Sequence, residues 1–217
     1  MPNFLLYKDK HFTVNLFTAS FARRANSNNR LVILKCFVTI KRKKSKRIIA
    51  ERGIQVKLTP NEERHIRKVL KDYMQDEKVQ EMKKYIQHGS VTTFDHCKSV
   101  TRASFWLNKH LHLGANTRTL LLGAFLHDFY LYDWHDSSEK WHRLHGFRHP
   151  EFARKNAESH FHIDANVQKV IRSHMWPLTI TKVPTSREAL IVCLADKYVS
   201  SVETIGKRKG RKANVAK

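Results

Sequence analysis

Leu120-Leu121-Leu122-Gly123-Ala124-Phe125-Leu126-His127-Asp128 is an apolar run that ends on an adjacent histidine and aspartate. Hydrophobic on most sides, it reads as a buried helix. Its far end therefore lies inside the fold, where an unpaired carboxylate is strongly disfavoured. Asp128 needs a positive partner, and a divalent cation supplies one. A hydrogen-bonded pair closing a helix end is the plain alternative, and the dipeptide alone does not decide between them.

Moving outward, Asn116 or Thr117 opens this central helix. Upstream, Ser90-Val91-Thr92-Thr93 is a start signal for a helix from about Phe94 to Leu113, stopped by Gly114. His96 falls in its first turn and points inward. Further upstream, Thr59-Pro60-Asn61-Glu62 combines a capping threonine, a proline at the first helical position and a glutamate at the third. Apolar residues from Ile66 to Ile86 then recur at helical spacing, which predicts one helix or a bent pair over 60–87. Downstream, the aromatic, His-rich 129–148 reads as an ordered site loop with a short helix. His149-Pro150 predicts the next helix start, Asp164 caps another that carries His174, and Thr185-Ser186-Arg187-Glu188 predicts a second capping box. The helix after that box runs to about Thr204 and places Asp196 on its apolar stripe. No sheet is evident over 59–205, so the predicted fold class is all-α, a bundle of about six helices.

The 217 residues carry a formal net charge of +22, unevenly spread. Residues 1–60 hold 14 Lys/Arg against 2 Asp/Glu, 206–217 hold 6 against none, and 61–205 hold 21 against 17. The basicity belongs to the ends and the body is nearly neutral. This predicts a basic extension over 1–58, a functional domain over 59–205 and a basic tail over 206–217. A solvated tail is favoured over an RNA-binding arm, so nucleic acid is an expected partner only through the termini. Residues 1–58 read either as a strand or two, at Phe12–Phe17 and Leu31–Ile40, or as a poorly ordered leader. Cys36, Cys97 and Cys193 form no CxxC, which argues against a disulfide framework or a zinc finger and fits a reducing cytosol. No apolar run is long enough to span a bilayer, so the expectation is a cytoplasmic protein with no membrane partner.

The polar residues that the pattern turns inward are His96, His127, Asp128, His149, His174 and Asp196, from five helices or helix ends. Six imidazole and carboxylate groups suit two cations, with one carboxylate able to bridge. Their order resembles that of the HD-domain metal-dependent phosphohydrolases. The likeness rests on Thr93-Phe94-Asp95-His96-Cys97, Gly123-Ala124-Phe125-Leu126-His127-Asp128, His145-Gly146-Phe147-Arg148-His149-Pro150, Ile171-Arg172-Ser173-His174 and Leu194-Ala195-Asp196-Lys197. It covers about 88–204.

The resemblance implies that His96, His127, Asp128 and Asp196 hold a first metal. It further implies that His149 and His174 join Asp128 around a second. His145 rivals His149, which is preferred because it directly precedes the proline, as in relatives with a His-Pro pair. Many relatives place a lysine soon after the His-Asp pair to meet phosphate; here Phe129-Tyr130 follow, and Arg148 and Lys197 are the replacements. The Gly-Tyr-Pro motif of the cyclic-dinucleotide branch is absent after His174. Hydrolysis of a phosphate ester or anhydride in a small, nucleotide-like substrate is the implied activity. His and Asp donors admit Mn, Fe, Zn, Co or Ni. Two other readings stay open: a di-iron oxygenase, which uses a similar ligand set on the HD fold, and a nucleotide-sensing or polyanion-binding module with little turnover.

Overall fold

The computed structural model describes residues 56–136 and 144–215, with 205–215 as backbone only. The strands expected near the N-terminus, His142 and the middle of the 129–148 loop lie outside the described residues.

The Thr59 side chain accepts from the Glu62 amide, and the Glu62 carboxylate takes the Thr59 amide at 2.7 Å. This reciprocal box opens α1, Pro60–Gln75, as expected. Of the one helix or bent pair expected over 60–87, the structure has a pair, and it stops short of 87. Asp76 turns the chain, and its Oδ1 accepts from the amides of Lys78 and Val79 to start α2, Glu77–Glu81. A short 3-10 turn at Met82–Lys84 follows, and the chain then becomes extended. The strand β1, Ile86–His88, pairs antiparallel with β2, Val91–Thr92. Gly89 in their turn sits at φ 71°, a conformation that disfavours a side chain. This hairpin corrects the expectation of no sheet, although the fold is otherwise helical.

Thr92 caps α3, Thr93–His110, and Asn116 caps α4, Thr117–Leu126. The next helix, α5, spans His145–Phe161, so the start expected at His149 is one turn late and Pro150 lies inside the helix. Having no N–H, Pro150 cannot bond the Gly146 carbonyl one turn back. Asp164 caps α6, Ala165–Ser173, through the amides of Asn166 and Val167. The last helix, α7, spans Arg187–Val215 and passes well beyond the end expected near Thr204. Ser186 rather than Thr185 supplies its cap, accepting from the Ala189 amide. Glu188, expected in the box, instead accepts the Asn116 amide at 2.6 Å and ties the start of α7 to that of α4.

The helix α4 lies at the centre, packed by α3, α6 and α7. Every residue from Leu120 to Leu126 is buried, as the unbroken apolar run requires. Burying a Leu or Phe side chain contributes roughly 1.5–3 kcal/mol, so this helix is a main source of the domain's stability. At Gly123 the backbone comes so close to α6 that an added Cβ would lie 2.5 Å from Val170 Cγ1. Both α4 and α6 end on histidines, so this contact sets the spacing of His127 and His174. Among the described residues no helix is long and apolar enough to cross a membrane.

Candidate metal centre

Five elements deliver the cluster. His96 comes from the first turn of α3, His127 and Asp128 from the end of α4, His149 from α5, His174 from the end of α6, and Asp196 from α7. All six are buried. Asp128 stands between two groups. Its Oδ2 lies 3.4 Å from His127 Nε2 and 3.8 Å from His96 Nε2. Its Oδ1 lies 3.2 Å from His149 Nε2 and 3.5 Å from His174 Nε2. Asp196 Oδ1 adds to the first group, 3.2 Å from His96 Nε2 and 3.9 Å from His127 Nε2.

The far side of each ring fixes its chemistry. The Nδ1 atoms of His127, His149 and His174 lie 2.8, 2.8 and 2.7 Å from the backbone carbonyls of Ala124, His145 and Ile171. A carbonyl only accepts, so each Nδ1 carries a proton and Nε2 is the atom turned into the cluster. His96 Nδ1 instead donates to Glu203 Oε2 at 2.9 Å, a carboxylate behind an imidazole. Among the described residues, His96 Nε2, His127 Nε2 and Asp128 Oδ1 are buried without a hydrogen-bond partner. His149 Nε2 and His174 Nε2 face each other at 2.8 Å. Such orphaned polar atoms are rare in an interior, and a bound cation would satisfy their lone pairs. The residues fit a divalent cation: His96, His127 and Asp196, like His127, Asp128 and His174, bring one ligand atom each within 4.8 Å of one another, with His127 common to both triads.

Electrostatics separate the two groups. Burial opposes charge on His96, but the Asp196 and Glu203 carboxylates raise its pKa to about 10. Burial likewise opposes charge on His127, and Asp128 with Cys97 raises it well above the ordinary value. For His174, burial and the neighbouring His127 and His149 act together and hold it well below the ordinary value. Burial disfavours the Asp128 carboxylate, yet His127 and His149 keep it strongly acidic. Asp196 is also acidic against its burial, because of His96 and Lys197. Protons on the first group thus balance the two aspartates when no metal is bound, and a metal must displace them.

Arg148 and Lys197 stand differently. Arg148 is exposed on the first turn of α5. Lys197 Nζ donates to the His174 carbonyl at 2.7 Å and lies 4.0 Å from Asp196 Oδ2. His145 stacks on His149 with ring centroids 4.4 Å apart, and its Nδ1 is 2.8 Å from the Tyr132 hydroxyl. It supports the His149 ring from behind. His110, His112, His135, His160 and His162 are exposed.

Sequence reasoning missed Glu203, Gln87 and Tyr130. Glu203 was detectable, because Asp196, Ser200 and Glu203 follow at helical spacing on one face and Ser200 Oγ bonds Asp196 Oδ1 at 3.1 Å. Gln87 Nε2 donates to Asp128 Oδ2 at 2.7 Å from the hairpin, which no periodic signal announced.

Residues 93–200 match the family model described as HD domain. No curated protein and no solved structure matches the chain.

Proposed function

Since residues 93–200 form an HD domain, a fold of metal-dependent hydrolases, we propose that this protein is a phosphohydrolase with a binuclear metal site. The observation that carries the reading is Asp128, whose two oxygens address two separate sets of imidazole lone pairs. His96, His127, Asp196 and Asp128 would hold one divalent cation, and His149, His174 and Asp128 the other. Bound there, the cations supply Lewis-acid charge for a phosphoryl group and a means of ionising water near neutral pH.

The chain's own residues do the rest. Asp128 and Asp196 carry the negative charge that retains the cations, and the backbone carbonyls behind His127, His149 and His174 fix the ligand tautomers. Glu203 holds the His96 ring and keeps electron density on its Nε2. Arg148 and Lys197 are the cationic side chains beside ligand positions that would take non-bridging phosphate oxygens.

The test is hydrolysis of a panel of nucleotides and small phosphomonoesters by the full chain loaded with Mn, Co, Fe or Zn. Phosphate release that chelation abolishes and Asp128→Ala does not show is the expected result. Oxygen uptake with Fe(II) and no phosphate release under any loading would overturn it in favour of an oxygenase.

A further inference from the structure

Behind Asp128 lies a buried polar chain that belongs to neither group of metal-binding candidates. Gln87 Nε2 donates to Asp128 Oδ2 at 2.7 Å. The other end of the same amide, Oε1, receives the Tyr130 hydroxyl. Thr93 Oγ1 lies 3.1 Å from that hydroxyl, 3.4 Å from Gln87 Oε1 and 3.2 Å from the Tyr85 carbonyl. Gln87, Thr93 and Tyr130 are all buried, at 7, 1 and 2% exposure. A carboxylate accepts only, so the amide must turn its NH₂ toward Asp128, and the hydroxyl on the opposite side holds the amide oxygen away from it. A flipped amide would set oxygen against oxygen and leave a hydroxyl without its acceptor.

We propose that Gln87, locked by Tyr130 and Thr93, is a positioning residue that fixes the Asp128 carboxylate plane so that its two oxygens address the two metal positions separately. The inference rests on the binuclear reading above. A carboxylate on a single Cβ–Cγ bond turns readily, and rotation would carry Oδ1 away from His149 and His174. Gln87 reaches Asp128 from β1, outside the helical bundle, so the short hairpin acquires a role: it brings a neutral donor to the one ligand shared by both positions. A neutral amide does this without adding charge among the imidazoles, whereas a lysine there would compete with the cations.

The test is a Mn(II) titration of the metal-stripped full chain followed by electron paramagnetic resonance, which reads both free Mn(II) and the exchange coupling of a carboxylate-bridged pair. The parent should take up a pair of ions and develop the coupled signal. In Gln87→Ala the second ion should bind ~10-fold more weakly or worse, with the coupled signal reduced, as for loss of other groups that orient ligands. Tyr130→Phe keeps the ring in place and frees the amide, so it should move both readouts in the same direction by less. A coupled parent whose signal and second affinity stay unchanged in Gln87→Ala and Tyr130→Phe would overturn the positioning role and leave the proposed function standing. A parent that takes up one ion or none would overturn the binuclear reading and this inference together.

Discussion

The two sides of Asp128 are built differently. On one side, His96 and His127 share their space with Asp196, and Glu203 backs His96. On the other, Asp128 is the carboxylate that His149 and His174 face, and their Nδ1 atoms bond backbone carbonyls. The first side is rich in negative charge and can be satisfied by protons. The second has two imidazole nitrogens 2.8 Å apart and an environment that disfavours a proton on His174. On the proposed binuclear reading, charge makes the first side the tighter cation site, while the second depends on the shared carboxylate. On that reading the raised pKa values of His96 and His127 let protons balance the first half of a metal-free cluster, while helix packing holds the second half apart.

Removing the shared ligand should erase the distinction. Asp128→Ala is expected to reduce metal content from about two per chain to well below one, because both sides lose a carboxylate at once. Elemental analysis of the purified variant checks this. Equal loss from both sides supports the bridge, whereas loss of one ion only would assign Asp128 to a single side.

The proton balance gives the next effect. In the metal-free chain His96 titrates at about 10, above the ordinary imidazole value, so at neutral pH metal uptake must expel its proton. Binding should therefore strengthen as pH rises from 6 to 8, and calorimetry in buffers of different ionisation enthalpy should register proton release. The same raised pKa makes a stabilising contribution to the metal-free fold that is fully present below about 6.5 and is lost as pH rises toward about 10. Denaturant unfolding of metal-free protein across that window tests the sign. Glu203→Gln, which leaves the shape and removes the charge behind His96, should weaken the first side by roughly 10-fold and the second by much less.

These residues were unequally legible. The six ligand candidates stood out because each is a polar side chain at a position where helical periodicity points inward, and periodicity is the strongest signal a single sequence carries. Their burial together follows from α4, whose uniform apolarity required helices all around it. The hairpin was not legible. Ile86 fits the helical spacing of the residues before it, and only Asp76 as a cap and Gly89 at positive φ break the pattern. Gln87 was lost with it. Pro150 misled in the opposite way: proline usually marks a first turn, but α5 begins at His145, which puts His145 and His149 one turn apart and lets them stack. Glu203 was missed because the helix was expected to end near it, although its spacing from Asp196 was readable.

A smaller effect tests the packing that sets the distance between the halves. Gly123→Ala places a methyl against Val170 and should cost about 1–3 kcal/mol of stability, because α4 and α6 must separate. His127 and His174 close those two helices, so the variant should also lose some second-side affinity. Thermal unfolding with and without Mn(II) resolves the two contributions.

The most direct measurement is metal content per chain of protein purified without oxygen, beside His149→Ala. About two metals in the parent and about one in His149→Ala is the predicted result, the remaining ion being held by His96, His127, Asp128 and Asp196. A single metal that survives the loss of His149 unchanged would contradict the two-sided centre and leave His149 and His174 to another task.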